Sequence, residues 1–404
     1  MSKPGDGSGY GVEEPVDLTR TGVPGAAVPV GPPPVPVRQG EADGLGGLMT
    51  QPPSVTADPA QWGWRGRVRR WTFGLFKPKP GRDEARYRQA EVAVRQHLGG
   101  TRLVMVANPK GGSMVSTTTL LLAHTFAALR GGSVAAWDNN ESRGTLADRA
   151  EVSEPQTSVW HLLGAFERLA SPVGTAGDMS HYLRSQPSRA EVLASDNDPA
   201  RAEQIGSGEC GRIAVLMARY FRVTFMDTGN NVRSPNWQWA AAAAHQLVVP
   251  ITLEPDVAAA AGWMLDVLGR RRPDLVASAV VVIGPSSAPP SAEVRQRMVA
   301  YFASRCAVVV EVPFDPQLAG GRPVVYTRLS ETSRRAWVTA AAAVADRLAA
   351  VRSTRPDQMQ PPPQAAPPPT QHQHQQQPVP GQPGGTGEFQ ASVTNLPLRK
   401  AQGE

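Results

Sequence analysis

The sequence predicts an α/β protein: a mostly parallel sheet with helices on both faces, flanked by disordered Pro-, Gly- and Gln-rich tails. Two observations carry that expectation. Short apolar runs alternate with helical stretches between about residues 100 and 350. The 39 prolines and 39 glycines of the 404-residue chain concentrate toward its ends, so the folded part is smaller than the length suggests.

Residues 1–60, with Gly-Pro-Pro-Pro-Val-Pro-Val at Gly31–Val37, hold too little periodic apolar content to offset ordering entropy and are expected to be disordered. Residues 61–95 read as a basic-aromatic extension and helix. Within them, 61–79 interleave Arg and Lys with Trp and Phe and contain no acid. That segment suits an anionic membrane, DNA phosphates or a docking partner. Packing of Trp62, Trp64 and Trp71 on the folded domain is the plain alternative.

The folded domain is expected over 96–352. Arg102–Ala107 is a strand that breaks into Asn108-Pro-Lys-Gly-Gly112, and Thr118–Arg130 has helical spacing that ends at Gly131-Gly132. Ser133–Trp137 leads into Asp138, Phe221–Met226 leads into Asp227, and Gln246–Ile251 follows an Ala-rich helical stretch. Val280–Gly284 and Ala307–Val312 add two buried strands, and Ser330–Arg352 closes the domain as a helix. In such a sheet the ligand site lies at the carboxyl ends of the strands, where both aspartates fall. Glu254 and Asp256 read as caps of a helix beginning near Val257, and Arg270–Arg272 as a helix end interacting with its dipole, with DNA contact as the alternative. Residues 353–404, which include His372 and His374 in a Gln tract, read as a second disordered tail, and the two histidines are compositional rather than a metal site.

Composition excludes several classes. A formal charge of +6 and a pI near 9.6 permit an acidic partner without requiring one. Cys210 and Cys306 lack metal-ligand spacing and are expected as buried thiols in a reducing cytoplasm. No signal-peptide core or run of membrane-spanning length appears, so a cytoplasmic protein, at most peripheral to a membrane or the nucleoid, is expected. No fixed-period repeat appears, and no Gly-x-Ser-x-Gly marks a hydrolase.

Pro109–Thr117 lies between the first strand and first helix, where a phosphate-binding loop belongs. Consecutive amides and a helix N-terminus there converge on an anion, and Ser116 supplies a hydroxyl for a metal. The generic pattern G-x-x-x-x-G-K-[ST] has Gly where this chain has Met114 and Lys where it has Val115.

The segment Lys110-Gly111-Gly112-Ser113-Met114-Val115-Ser116-Thr117 resembles the variant loop of the ParA/MinD family of P-loop ATPases, Lys-Gly-Gly-x-Gly-Lys-Thr-Thr. Trp137-Asp138-Asn139-Asn140 resembles the family's Asp-ended second strand, with Asn140 in place of a second Asp. Met226-Asp227-Thr228 resembles its Asp-Thr strand, and Val248–Pro250 and Val312–Asp315 its nucleobase-side strands. The resemblance covers about 100–350. It implies ATP and Mg2+ as cofactors held by Lys110, Gly111, Gly112, Ser113, Ser116 and Thr117. It also implies Lys110 reaching across a homodimer, Asp138 acting on the attacking water, and Ser116 and Asp227 at the magnesium.

The implied function is nucleotide-dependent positioning of a chromosome, plasmid or protein-complex cargo. Val115 and Met114 argue for impaired or absent hydrolysis, because a charged contact to phosphate is worth about 1.5 to 3 kcal/mol and Gly permits the loop backbone. Whether the chain is an enzyme stays open. The alternative is a pseudo-ATPase scaffold working through protein partners or a membrane. The long Pro-rich arms are similar in layout to ATPase-like proteins found beside type VII secretion systems.

Overall fold

The computed structural model describes residues 58–141, 143–286 and 290–351. The expected disordered tails lie outside the described residues apart from 58–60, and His372 and His374 lie outside them as well. The chain divides into two units between Arg88 and Gln89, within the expected 61–95 segment.

In the first unit, a helix α1 (Gly63–Trp71) and the start of α2 (Arg82–Arg95) are tied by one polar cluster. Glu84 accepts the amides of Gln61 at 2.7 Å and Trp62 at 3.2 Å, which lie at the open N-terminal end of α1. Arg88 pairs with Glu84 at 2.6 Å and donates to the carbonyls of Asp58 and Pro59 at 2.8 and 3.0 Å. Trp62 packs on Tyr87, ring centroids 5.0 Å apart. Trp64 and Trp71, by contrast, are 64% and 85% exposed. Phe73, Leu75 and Phe76 are exposed as well. The Glu84–Arg88 cluster fixes the start of α1.

The second unit is an eight-stranded sheet ordered β3-β4-β2-β5-β1-β6-β7-β8. Its strands are β1 (Arg102–Val106), β2 (Val134–Asn139), β3 (Arg184–Ser185), β4 (Ala190–Leu193), β5 (Val223–Thr228), β6 (Gln246–Thr252), β7 (Val280–Gly284) and β8 (Val308–Glu311). Every neighbouring pair is parallel except the β3–β4 edge. The run Arg102–Val106 is buried throughout, as a central strand covered on both faces must be.

Alternation along β1 divides the core. Leu103 and Met105 join the cluster under α7 (Ser207–Tyr220), α8 (Pro235–Ala243) and α9 (Pro255–Gly269). Val104 and Val106 join the opposite cluster, under α3 (Val115–Arg130) and the C-terminal helix α12 (Glu331–Ala350). Short helices α4 (Val159–Gly164), α5 (Phe166–Ala170) and α6 (Ala176–Ser180) precede the β3–β4 edge, and α10 (Pro273–Ala277) and α11 (Ala292–Arg305) flank β7.

Two local expectations change. Asp256, in the first turn of α9, accepts the Val257 amide at 2.9 Å as a cap would and also pairs with Lys110 Nζ at 2.8 Å, whereas Glu254 at the N-cap makes no side-chain cap bond and accepts from Thr252 at 2.7 Å. Arg272 caps a helix other than the one it follows. It donates to the carbonyls of Ala241, Ala242 and Ala244, the open C-terminus of α8, at 2.9, 2.7 and 3.2 Å. Cys210 and Cys306 are free and buried, and burial pushes their thiols up to about 12 and about 11, which keeps them unreactive.

Candidate nucleotide site

The loop after β1 is anchored before it turns. Asn108 Nδ2 donates to the Pro250 carbonyl at 2.8 Å, while its Oδ1 accepts the Lys110 amide at 3.0 Å. One buried side chain thus ties the loop to the end of β6 and sets its first bend. At the far end, Met114 sits at φ 71° and ψ 22°, directly before α3. This left-handed conformation costs an L-residue about 1 to 2 kcal/mol relative to the right-handed one. The loop therefore keeps a backbone suited to Gly at the position where it carries Met. α3 begins at Val115, three residues earlier than its apolar spacing implies, so Val115, Ser116 and Thr117 form its first turn and their amides have no intrahelical acceptor.

The Met114 side chain runs along the end of β7. A Cβ placed on Gly284 would stand 2.1 Å from Met114 Sδ and 2.8 Å from its Cε, so only Gly at 284 accommodates the thioether where it lies. Met114 thereby forms a wall shared by two cavities. One, of about 250 Å3, has a mixed lining that includes Thr252, Glu254, Pro313, Phe314, Asp315 and Trp337. The other, of about 610 Å3, contains the loop from Lys110 to Thr117 together with Asn140, Arg149, Asp227 and Thr228.

The sequence-predicted residues divide between this second cavity and its support. Lys110, Gly111, Gly112, Ser113, Ser116, Thr117 and Asp227 line it. Ser116 hydrogen-bonds Asp227, so the hydroxyl and the carboxylate expected near a metal are adjacent. Lys110 lines the mouth, half exposed, with its ammonium on Asp256.

Asp138 is not among the lining residues. It is buried, accepting Asn140 Nδ2 at 2.6 Å, the Leu146 amide at 3.2 Å and Ser195 Oγ at 3.1 Å. Gly144 lies against the same carboxylate, where a Cβ would come within 2.0 Å of Oδ1, and its amide bonds Ser195 Oγ at 2.7 Å. Asp138 thus holds Asn140 and residues 144–146 against the end of β2.

Electrostatics single out Asp227. Burial raises its pKa well above the usual carboxylate range, and the nearby Asp138 charge raises it further, while the Ser116 hydrogen bond and the charge of Arg149 pull it back. Burial also raises Asp138, against hydrogen bonds from Asn140, Ser195 and Leu146. Three polar atoms facing this region are buried without a hydrogen-bond partner: Asp227 Oδ2, Ser113 Oγ and Arg149 Nε. Atoms without a partner occur elsewhere in the fold too, Trp137 Nε1 and Gln246 Oε1 among them, but a carboxylate, a hydroxyl and a guanidinium lining one cavity are groups that suit a charged ligand and its cation.

Sequence reasoning missed Arg149, Asn140 as a lining group, and the Met114–Gly284 fit. Arg149 lies in a stretch with neither helical nor strand spacing. The only cue was its position just after the Asp138 segment.

No family model matches the chain. The ESX-1 secretion-associated protein EspI of Mycobacterium tuberculosis is 26% identical over 299 residues, covering 71% of this chain. The chain spans only 42% of that relative's length. Among solved structures, a MinD cell division ATPase from Pyrococcus furiosus shares 16% identity, with 61% of this chain and 98% of that chain covered, at a TM-score of 0.45. A ParA family ATPase from Chlorobium tepidum TLS shares 14% identity over 60% of this chain and 98% of that chain, with a TM-score of 0.50. Taken with the parallel sheet and the loop at the end of β1, this likeness gives the chain the fold of the ParA/MinD-like P-loop NTPases.

Proposed function

We propose that the chain is a nucleotide-binding protein that works with a secretion apparatus, taking up Mg-ATP as a conformational signal while turning it over slowly or not at all. The observation that carries the reading is the set of three unpartnered buried polar atoms around the loop cavity. In it, Ser116 and Asp227 would hold the magnesium, and the amides of the loop and of the first turn of α3 would hold phosphate oxygens. Magnesium, when bound, neutralises phosphate charge. Asp227 would then ionise fully against the cation. Asp138 would act as a positioning residue for Asn140 and residues 144–146, because its carboxylate already accepts hydrogen bonds from Asn140, Leu146 and Ser195.

Reduced turnover follows from the loop itself. Val115 brings no charge to the phosphates, Met114 puts a side chain into the lining of both cavities, and Lys110 is held by Asp256 on the surface. Release of that pair by a second copy of the chain would free Lys110 for a homodimer contact. The secretion context rests on the name of the EspI relative and is preferred over DNA partitioning for that reason. The test is phosphate release by the full chain with Mg-ATP, beside calorimetric binding: saturable binding without multiple turnovers supports the reading, and sustained hydrolysis removes it.

A second reading concerns the first unit. Exposed Trp64, Trp71, Phe73, Leu75 and Phe76 alternate with Arg65, Arg67, Arg69, Arg70, Lys77 and Lys79. Aromatic rings entering a headgroup region beside basic side chains suit an anionic membrane. Among the described residues no helix is long and apolar enough to cross one. Co-sedimentation with phosphatidylserine vesicles should be lost in a Trp64→Ser, Trp71→Ser variant. Binding to DNA or to a cargo protein in place of vesicles would redirect the reading.

A further inference from the structure

The cavity beside the loop contains a cation that the loop sequence does not supply. Arg149 follows the segment that Asp138 holds in place, and its side chain lines the same wall as Ser113, Ser116 and Asp227. Its backbone is fixed on both sides: its amide bonds the carbonyls of Thr145 and Leu146 at 3.2 Å, and its carbonyl accepts the Val324 amide at 2.8 Å. One terminal nitrogen reaches the Leu318 carbonyl at 3.4 Å, a long bond, and Nε is buried with no partner. Among the described residues Arg149 forms no ion pair, although its charge acts on Asp227 through space.

A half-buried guanidinium with spare donors, fixed backbone and no carboxylate in contact is a poor structural counter-ion. Its planar fork matches phosphate oxygens. The other arginine on this cavity, Arg143, is largely exposed and paired with Asp148 at 3.3 Å, so it is the weaker candidate.

We infer that Arg149 replaces the missing loop lysine, reaching the phosphate site from the loop after β2 and donating to the phosphate chain of the bound nucleotide. The inference rests on the nucleotide-binding reading above and assigns the site's cation to a different segment of the chain. It also explains why Val115 is compatible with binding: the charge has moved and has not been lost. Asp138, through residues 144–146, then acts indirectly on phosphate affinity by setting where Arg149 begins.

The experiment uses the full chain and a fluorescent ATP analogue with magnesium, read by anisotropy, with inorganic tripolyphosphate as competitor. Arg149→Gln is expected to weaken nucleotide and tripolyphosphate binding by about tenfold or more, the scale of a lost charge-assisted contact. Adding Val115→Lys to Arg149→Gln is expected to restore most of that loss, because either cation serves the same anion. Unchanged affinity in Arg149→Gln overturns the inference while leaving the nucleotide-binding reading intact, whereas no binding by the wild-type chain overturns both. Should Arg149→Gln fail to fold, arginine labelling of the wild-type chain with phenylglyoxal decides the matter. Saturating ATP is expected to shield Arg149, and equal labelling with and without ATP overturns the inference.

Discussion

Met114 and Gly284 should be energetically coupled, and Gly284→Ala measures the coupling. The added Cβ would lie 2.1 Å from Met114 Sδ, against the about 3.5 to 4.0 Å at which nonbonded atoms attract best. The thioether sits at the end of a flexible side chain, so it would swing away before β7 distorts. The cost is then lost packing, about 1 to 3 kcal/mol as for overpacked sites generally. In a Met114→Gly background the space is open, and Ala at 284 should be neutral or gain about 0.4 to 1 kcal/mol from a less flexible unfolded chain. Met114→Gly alone should change little. Relief of the left-handed backbone, about 1 to 2 kcal/mol, nearly offsets the half-buried side chain, worth about 1 kcal/mol. Urea unfolding of the four proteins should therefore give a coupling of about 1 to 3 kcal/mol. Costs that add to within about 0.5 kcal/mol would refute the packing of Met114 over Gly284.

Two further outcomes follow from buried ionisable groups. Because the folded state raises the pKa of Asp227, it holds that proton more tightly than the unfolded chain, so the stability it confers is fullest below about pH 3.9 and is lost as pH rises through the folded value. Asp227→Asn should raise the magnesium-free melting temperature at pH 7 to 8, and a fall would contradict the burial argument. His124 behaves oppositely: burial lowers it to about 4, so its contribution is present above its unfolded value near 6.5 and is lost as pH falls toward 4. At about 1.36 kcal/mol per unit this is about 3 kcal/mol, and His124→Gln should flatten the acid limb of a stability–pH curve between about pH 6.5 and 4. An equally steep limb in the variant would assign the loss elsewhere.

The sheet was largely legible because its central strands are uniformly apolar and end on polar residues; Val280–Gly284 was read to the residue. The ends of the elements were less so. Asp138 and Asp227 lie within β2 and β5 as their ladder continues, although apolar content alone stops at Trp137 and Met226. The β3–β4 edge went unread because two and four residues give no usable alternation. At the site, the loop and its two substitutions were visible as a motif. That Met114 keeps a backbone suited to Gly was not, since it depends on Gly284, contributed by a strand far along the chain. Arg149 was hidden for a related reason: its direction is set by a loop folded onto Asp138, and no local period encodes that. The Lys110–Asp256 pair likewise joins the loop to α9 only through the third dimension.

The central claim is that this loop cavity binds a magnesium nucleotide despite Met114 and Val115. Isothermal titration of Mg-ATP into the full chain, beside a Met114→Gly, Val115→Lys variant, tests it most directly. The account predicts stoichiometric binding by the wild-type chain and about tenfold or greater tightening in the variant, the scale of one charge-assisted contact added to that of Arg149. No heat of binding to the wild-type chain at any attainable ATP concentration would contradict it.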